Sequence, residues 1–104
     1  MNDKIIPTEK KIVLPENVRS SVLLEAGELI NGPRQIHYGQ PKENFETTAA
    51  LFSAYLGCDI SAADVCHLMA LLKIARLRNG GHRDSSVDSC GYMALGAEMS
   101  DAGT

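Results

Sequence analysis

The chain has no Trp, two Phe and three Tyr among 104 residues, which leaves few aromatic platforms for stacking the bases of a single strand. It also lacks a basic arm. Ten Lys and Arg stand against thirteen Asp and Glu, for a net charge of −3, which argues against nucleic-acid binding driven by phosphate neutralisation. No apolar run approaches the roughly 20 residues that cross a bilayer, and the amino end carries no apolar signal-peptide core. The three cysteines, Cys58, Cys66 and Cys90, form an odd set without a CxxC pair. A disulfide framework or a structural zinc site is therefore not expected, and they read as small buried thiols of a reducing cytosol. Also missing are a Ser-His-Asp order, a Cys–His pair and a Gly-rich phosphate loop, so nucleophilic catalysis finds no support. What remains is a cytoplasmic domain with no membrane and no nucleic-acid partner.

What is present is helical. The length suits one domain with a modest core. Residues 1–14 are too short and polar for a core of their own and read either as an extended arm laid on a neighbour or as a partly disordered segment; an arm of this kind often crosses to a second subunit, the first sign of a homo-oligomer. A first helix is expected from Pro15 to Asn31, with Val18, Val22, Leu23, Ala26, Leu29 and Ile30 on one stripe and Gly32-Pro33 as its stop. A connector, 33–40, precedes a second helix over Pro41–Leu56 that ends on Gly57 in a left-handed cap. Ser61 and Asp64 form a capping-box pattern at the start of a third helix running to about Arg78. Its residues 65–77 are apolar nearly all round, which predicts the central, most buried helix. A fourth is expected from Asp84 or Ser85 to Met99, with 100–104 as a frayed tail. With no alternating strand pattern, the fold class is all-α: a four-helix bundle over residues 15–99.

Three groups of residues carry potential chemistry. Glu25 and Glu28, three apart, share a helical face beside the apolar stripe, a natural start for a Mg²⁺ site, although exposed glutamates more often form a solvated face. Asp84 and Asp88, four apart, share a face of the fourth helix. The short loop 79–83 makes the third and fourth helices antiparallel neighbours, bringing Arg76 near Asp84 and Lys73 near Asp88. Two readings stand at this point: a pair of interhelical salt bridges, which the spacing favours, or a polar site in which acids hold a metal and cations hold a phosphate. The third group is the connector and the helix start after it, where Arg34, His37, Tyr38 and Asn44 offer a cation, an imidazole, a phenol and an amide; an ordinary loop offers the same residues. His67 reads as a core or interface residue, and His82 as one polar residue of a Gly-Gly loop.

The segments Gly32-Pro33-Arg34, Tyr38-Gly39-Gln40-Pro41-Lys42-Glu43-Asn44-Phe45, Leu71-Leu72-Lys73-Ile74-Ala75-Arg76-Leu77 and Asp84-Ser85-Ser86-Val87-Asp88-Ser89-Cys90-Gly91-Tyr92 occur in order. Together they resemble a domain-of-unknown-function family common in phages and prophages, over about residues 20–98. More distantly, the layout is similar to the MazG-like all-α nucleotide pyrophosphohydrolases, which are dimers or tetramers. That resemblance implies a MazG-like bundle in which Glu25, Glu28, Asp84 and Asp88 hold Mg²⁺ and Lys73 and Arg76 face the phosphates. Arg34, His37, Tyr38 and Asn44 would hold the base or sugar of a nucleoside triphosphate, split to monophosphate and pyrophosphate. The chain departs from the hydrolase pattern in carrying Leu24 where a further Glu is usual, and in spacing its second acidic pair by four. The alternative expectation is a non-catalytic nucleotide-binding sponge that sequesters a host cyclic-nucleotide or ADP-ribose-type defence signal. A third is a purely structural adaptor.

Overall fold

The computed structural model describes residues 17–32 and 41–102, and these form four α-helices with no strand among them. The expected arm 1–14, the connector residues 33–40 and the tail residues 103 and 104 lie outside the described residues. Helix α1 spans Val18–Asn31, α2 Pro41–Leu56, α3 Ala62–Ala75 and α4 Arg83–Ala102.

Local signals set most of these boundaries. Asn17 caps α1: its Oδ1 accepts the Ser20 N–H at 2.9 Å, satisfying one of the free donors of the first turn. Gly57 follows α2 with φ +72°, a conformation that a side chain disfavours. The α2–α3 turn is pinned by one hydroxyl, because Ser53 Oγ accepts the Ile60 N–H at 2.9 Å and donates to the Ile60 carbonyl at 3.2 Å. The expected capping box is present: the Ser61 N–H donates to Asp64 Oδ2 at 2.9 Å and the Asp64 N–H donates to Ser61 Oγ at 3.0 Å. The Ser61 backbone N–H, and then its side chain, hold the Asp64 carboxyl below the ordinary carboxylate range. That stabilisation is complete above the usual carboxyl pKa and is lost as pH falls through the lowered value. Ser61→Ala is expected to cost about 1 kcal/mol in a urea titration, the usual size of a lost cap.

Helix α3 ends earlier than its apolar run suggests. The Arg76 N–H is shared between the Leu72 and Lys73 carbonyls, and the chain tightens into a 3₁₀ turn over Arg76–Asn79 before Gly80 at φ +117°. Helix α4, by contrast, runs past Met99 to Ala102. Nothing in Ser100-Asp101-Ala102 stops a helix, and the next glycine in the sequence is Gly103.

Helix α4 packs on α3 on one side and on α1 on the other, and α3 packs in turn on α2. The Lys73–Asp88 ion pair and the contact of Gly96 with Cys66 fix α3 and α4 as antiparallel neighbours, as the short loop predicts. Arg83 beside Glu25 and Gly91 beside Ile30 make α1 run in the same sense as α4. Phe45 of α2 meets Tyr92 of α4 edge-to-face at 6.3 Å. Small residues permit the close approach: a Cβ on Gly91 would lie 3.1 Å from Ile30 Cγ2, and one on Gly96 3.2 Å from Cys66 Cβ.

The expectation that α3 is enclosed all round needs correction. Val65, Cys66 and Ala70 are buried, whereas Leu68, Leu71, Leu72 and Ile74 are 41–59% exposed. Apolar composition shows which surface avoids water, not whether the same chain covers it. The buried apolar set is made of small side chains, Ala26, Ala49, Val65, Cys66, Ala70 and Val87.

Candidate functional site

The chemistry-bearing residues gather around the first two turns of α4. On the α1 side, Arg83 Nε and Nη2 reach Glu25 Oε1 at 3.1 and 3.0 Å, and Nη2 also donates to Ser21 Oγ at 2.7 Å. Ser21 and Glu25 lie four apart, so α1 presents both to one guanidinium. On the α3 side, Lys73 Nζ lies 3.0 Å from Asp88 Oδ2, with the lysine side chain 19% and the aspartate 33% exposed. Partial burial makes this the more consequential pair, since either charge left alone would be poorly solvated. Ser85, between the two pairs along the helix, is itself buried.

This arrangement separates the two acidic helices' ligands. Glu25 is held by a cation on the α1–α4 flank and Asp88 by a cation on the α3–α4 flank. Glu28 and Asp84 are exposed. Among the described residues no three of His, Cys, Asp and Glu come together closely enough to hold a metal ion. In the single chain, then, Glu25, Glu28, Asp84 and Asp88 do not fit the Mg²⁺ centre that the resemblance implies. Of the two expected interhelical salt bridges, the structure contains Lys73–Asp88; among the described residues none joins Arg76 to Asp84, because Arg76 sits on the 3₁₀ turn and is exposed. Asn44 lies exposed in the first turn of α2, and its carbonyl accepts the Thr48 hydroxyl at 2.9 Å. Arg34, His37 and Tyr38 lie outside the described residues.

The residue that sequence reasoning missed is Arg83. Its partner is 58 positions away, and no loop length reveals that α1 lies against α4. One signal was present. A cation at the first position of a helix opposes the helix dipole, so an arginine there calls for a compensating anion. His67 lies at the α3–α4 seam with its Nε2 3.0 Å from where a Cβ on Gly96 would be, in keeping with an interface role. The three thiols are free. Cys66 is fully buried, Cys90 half-buried and Cys58 exposed, which corrects the expectation of three buried thiols, since Cys58 follows Gly57 on the surface turn.

The described residues define an all-helical fold in which two acidic residues, Glu25 and Asp88, are tied to cations from neighbouring helices. The chain belongs to the family described as a domain of unknown function (DUF6378), which matches residues 21–100. It is 53% identical over 73 residues to the Gene 55 protein of Mycobacterium phage D29, covering 69% of this chain and 48% of that protein. It is 46% identical over 81 residues to the Gene 55 protein of Mycobacterium phage L5, covering 76% of this chain and 52% of that protein. The chain thus spans about half the length of these curated relatives. No solved structure matches it. No helix of the described residues is long and apolar enough to cross a membrane.

Proposed function

We propose that this protein is a phage-type nucleotide-handling protein that binds a phosphate-bearing ligand without a resident metal and releases it unchanged. The observation that carries the reading is the state of Arg83. Its guanidinium is 45% exposed at the open amino end of α4, and its fork is held in place by a carboxylate and a hydroxyl. A phosphate group has the geometry to replace the Glu25 carboxylate on that fork, and free helix N–H groups favour the same charge. Arg76, exposed at the end of α3, supplies a further cation. Arg34, His37, Tyr38 and Asn44 are the candidates for base and sugar contacts. A cyclic-nucleotide or ADP-ribose-type signal fits this chemistry as well as a nucleoside triphosphate does.

The Mg²⁺-dependent hydrolase of the MazG-like type draws support from the resemblance of its acidic pattern alone. It would require the Glu25 and Asp88 pairs to open, or another copy to complete the ligand set.

One experiment separates the readings. Calorimetry with nucleoside mono- and triphosphates, cyclic nucleotides and ADP-ribose in EDTA should show saturable binding of at least one. Arg83→Gln should weaken it tenfold or more, with helical content unchanged by circular dichroism. Pyrophosphate release that appears only with Mg²⁺ and is lost in Asp88→Ala would overturn metal-free binding in favour of hydrolysis. Silence with every ligand would leave a structural adaptor.

A further inference from the structure

Among the described residues, helix α3 presents an exposed apolar arc. Counting 100° per residue, Asp64, Leu68, Leu71, Leu72 and Ala75 fall on one side, opposite the buried Cys66 and Ala70. Leu71 and Leu72 are 59% and 53% exposed, and Leu68 is 41% exposed. Three large aliphatic side chains at i, i+3 and i+4 form the kind of stripe that packs against another helix.

The charges flanking this arc specify the partner. The first turn of the helix carries exposed Asp64, and the 3₁₀ turn that follows its end carries exposed Arg78. Turned end over end, the same surface sets acid against base at both ends and leucine against leucine in the middle. Laid parallel, it sets like against like. The helix is therefore self-complementary in the antiparallel sense, the relation that a two-fold axis requires. Helix dipoles favour the same arrangement.

We propose that two copies of this chain associate through α3 as an antiparallel pair, with a two-fold axis passing beside Leu71. Leu68 of one copy then faces the Ile74–Ala75 turn of the other, and Asp64 of one approaches Arg78 of the other. The interface stands independently of any ligand, because it uses the exposed Leu68, Leu71 and Leu72 and not Arg83 or its partners. Leu51 and Tyr55, also exposed on the adjoining α2, are available to widen it.

The test combines sedimentation with cross-linking on the full chain. Sedimentation equilibrium should give a dimer. Leu71→Glu, a change at an exposed position, should raise its dissociation constant at least 100-fold with helical content retained. In a Cys58→Ser background, Leu71→Cys should oxidise to a covalent dimer, and a mixture of the separate variants Asp64→Cys and Arg78→Cys should cross-link to each other but not to themselves. A wild-type monomer at every concentration, a dimer insensitive to Leu71→Glu, or self-linking through Asp64→Cys would each overturn the proposal. The first of these would mean that the arc faces something other than a second copy.

Discussion

Gly96→Leu should be among the most damaging single substitutions in this chain. A Cβ at this position would lie 3.0 Å from His67 Nε2 and 3.2 Å from Cys66 Cβ. The second of these atoms is attached directly to the α3 backbone, so it moves only if the helix moves. Overpacking of this kind costs typically 1–3 kcal/mol and occasionally more, and a whole isobutyl group belongs at the upper end. Leucine recovers about 0.8 kcal/mol of helix propensity relative to glycine, which falls short of the loss. Gly27→Ala supplies the comparison: nothing lies within 4 Å of its added Cβ, so the propensity gain of about 1 kcal/mol should appear undiluted as a stabilisation. Denaturant midpoints of the two variants should move in opposite directions. Equal midpoints would mean that α3 and α4 are not in close contact at Gly96.

The second large effect concerns the buried thiol. Burial pushes Cys66 up to about 11 from an ordinary value of 9.0. The thiol stays neutral in the folded chain, while the unfolded chain ionises near pH 9. Stability is therefore intact below pH 9 and declines as pH rises toward 11. The full displacement corresponds to about 2–3 kcal/mol. Cys66→Ala should remove this alkaline decline while lowering stability at neutral pH through the lost packing. Thiol labelling gives an independent measure: Cys58, exposed on the α2–α3 turn, should react at once, and Cys66 only as the protein unfolds. Rapid native labelling of Cys66 would contradict its burial.

Both effects arise at the α3–α4 seam, and that seam was readable in the sequence. The Ser61–Asp64 capping pattern, the Gly57 cap and the short 79–83 loop each act over a few residues, so each has a local signature. The Lys73–Asp88 pair follows from them once two neighbouring helices are known to be antiparallel. The pairing of Glu25 with Arg83 was beyond reach because it depends on where α1 settles, and the intervening connector does not encode that choice. The leucine arc misled for a different reason. Leu68, Leu71 and Leu72 signal removal from water in the same way whether the cover comes from their own chain or from elsewhere. Helix α4 shows the converse. Its charged residues and serines make it the least apolar of the four helices, yet the small size of Gly91, Gly96 and Ser85 lets α1 and α3 close on it from two sides. The candidate site was legible as a set of residue types and in its Lys73–Asp88 pair; the rest of its geometry depended on the contact of α1 with α4, which no spacing reveals.

The lodging of α1 against α4 also orders events during synthesis. Helices α2 and α3, joined by a turn pinned through Ser53, can collapse onto each other soon after leaving the ribosome. Helix α1 emerges before them and yet has to wait, because the surface it rests on is translated last among the four. The Glu25–Arg83 pair and the contact of Ile30 with Gly91 form only after α4 has been made. The first of these four helices to be made is thus the one whose contacts with α4 wait for the last of them.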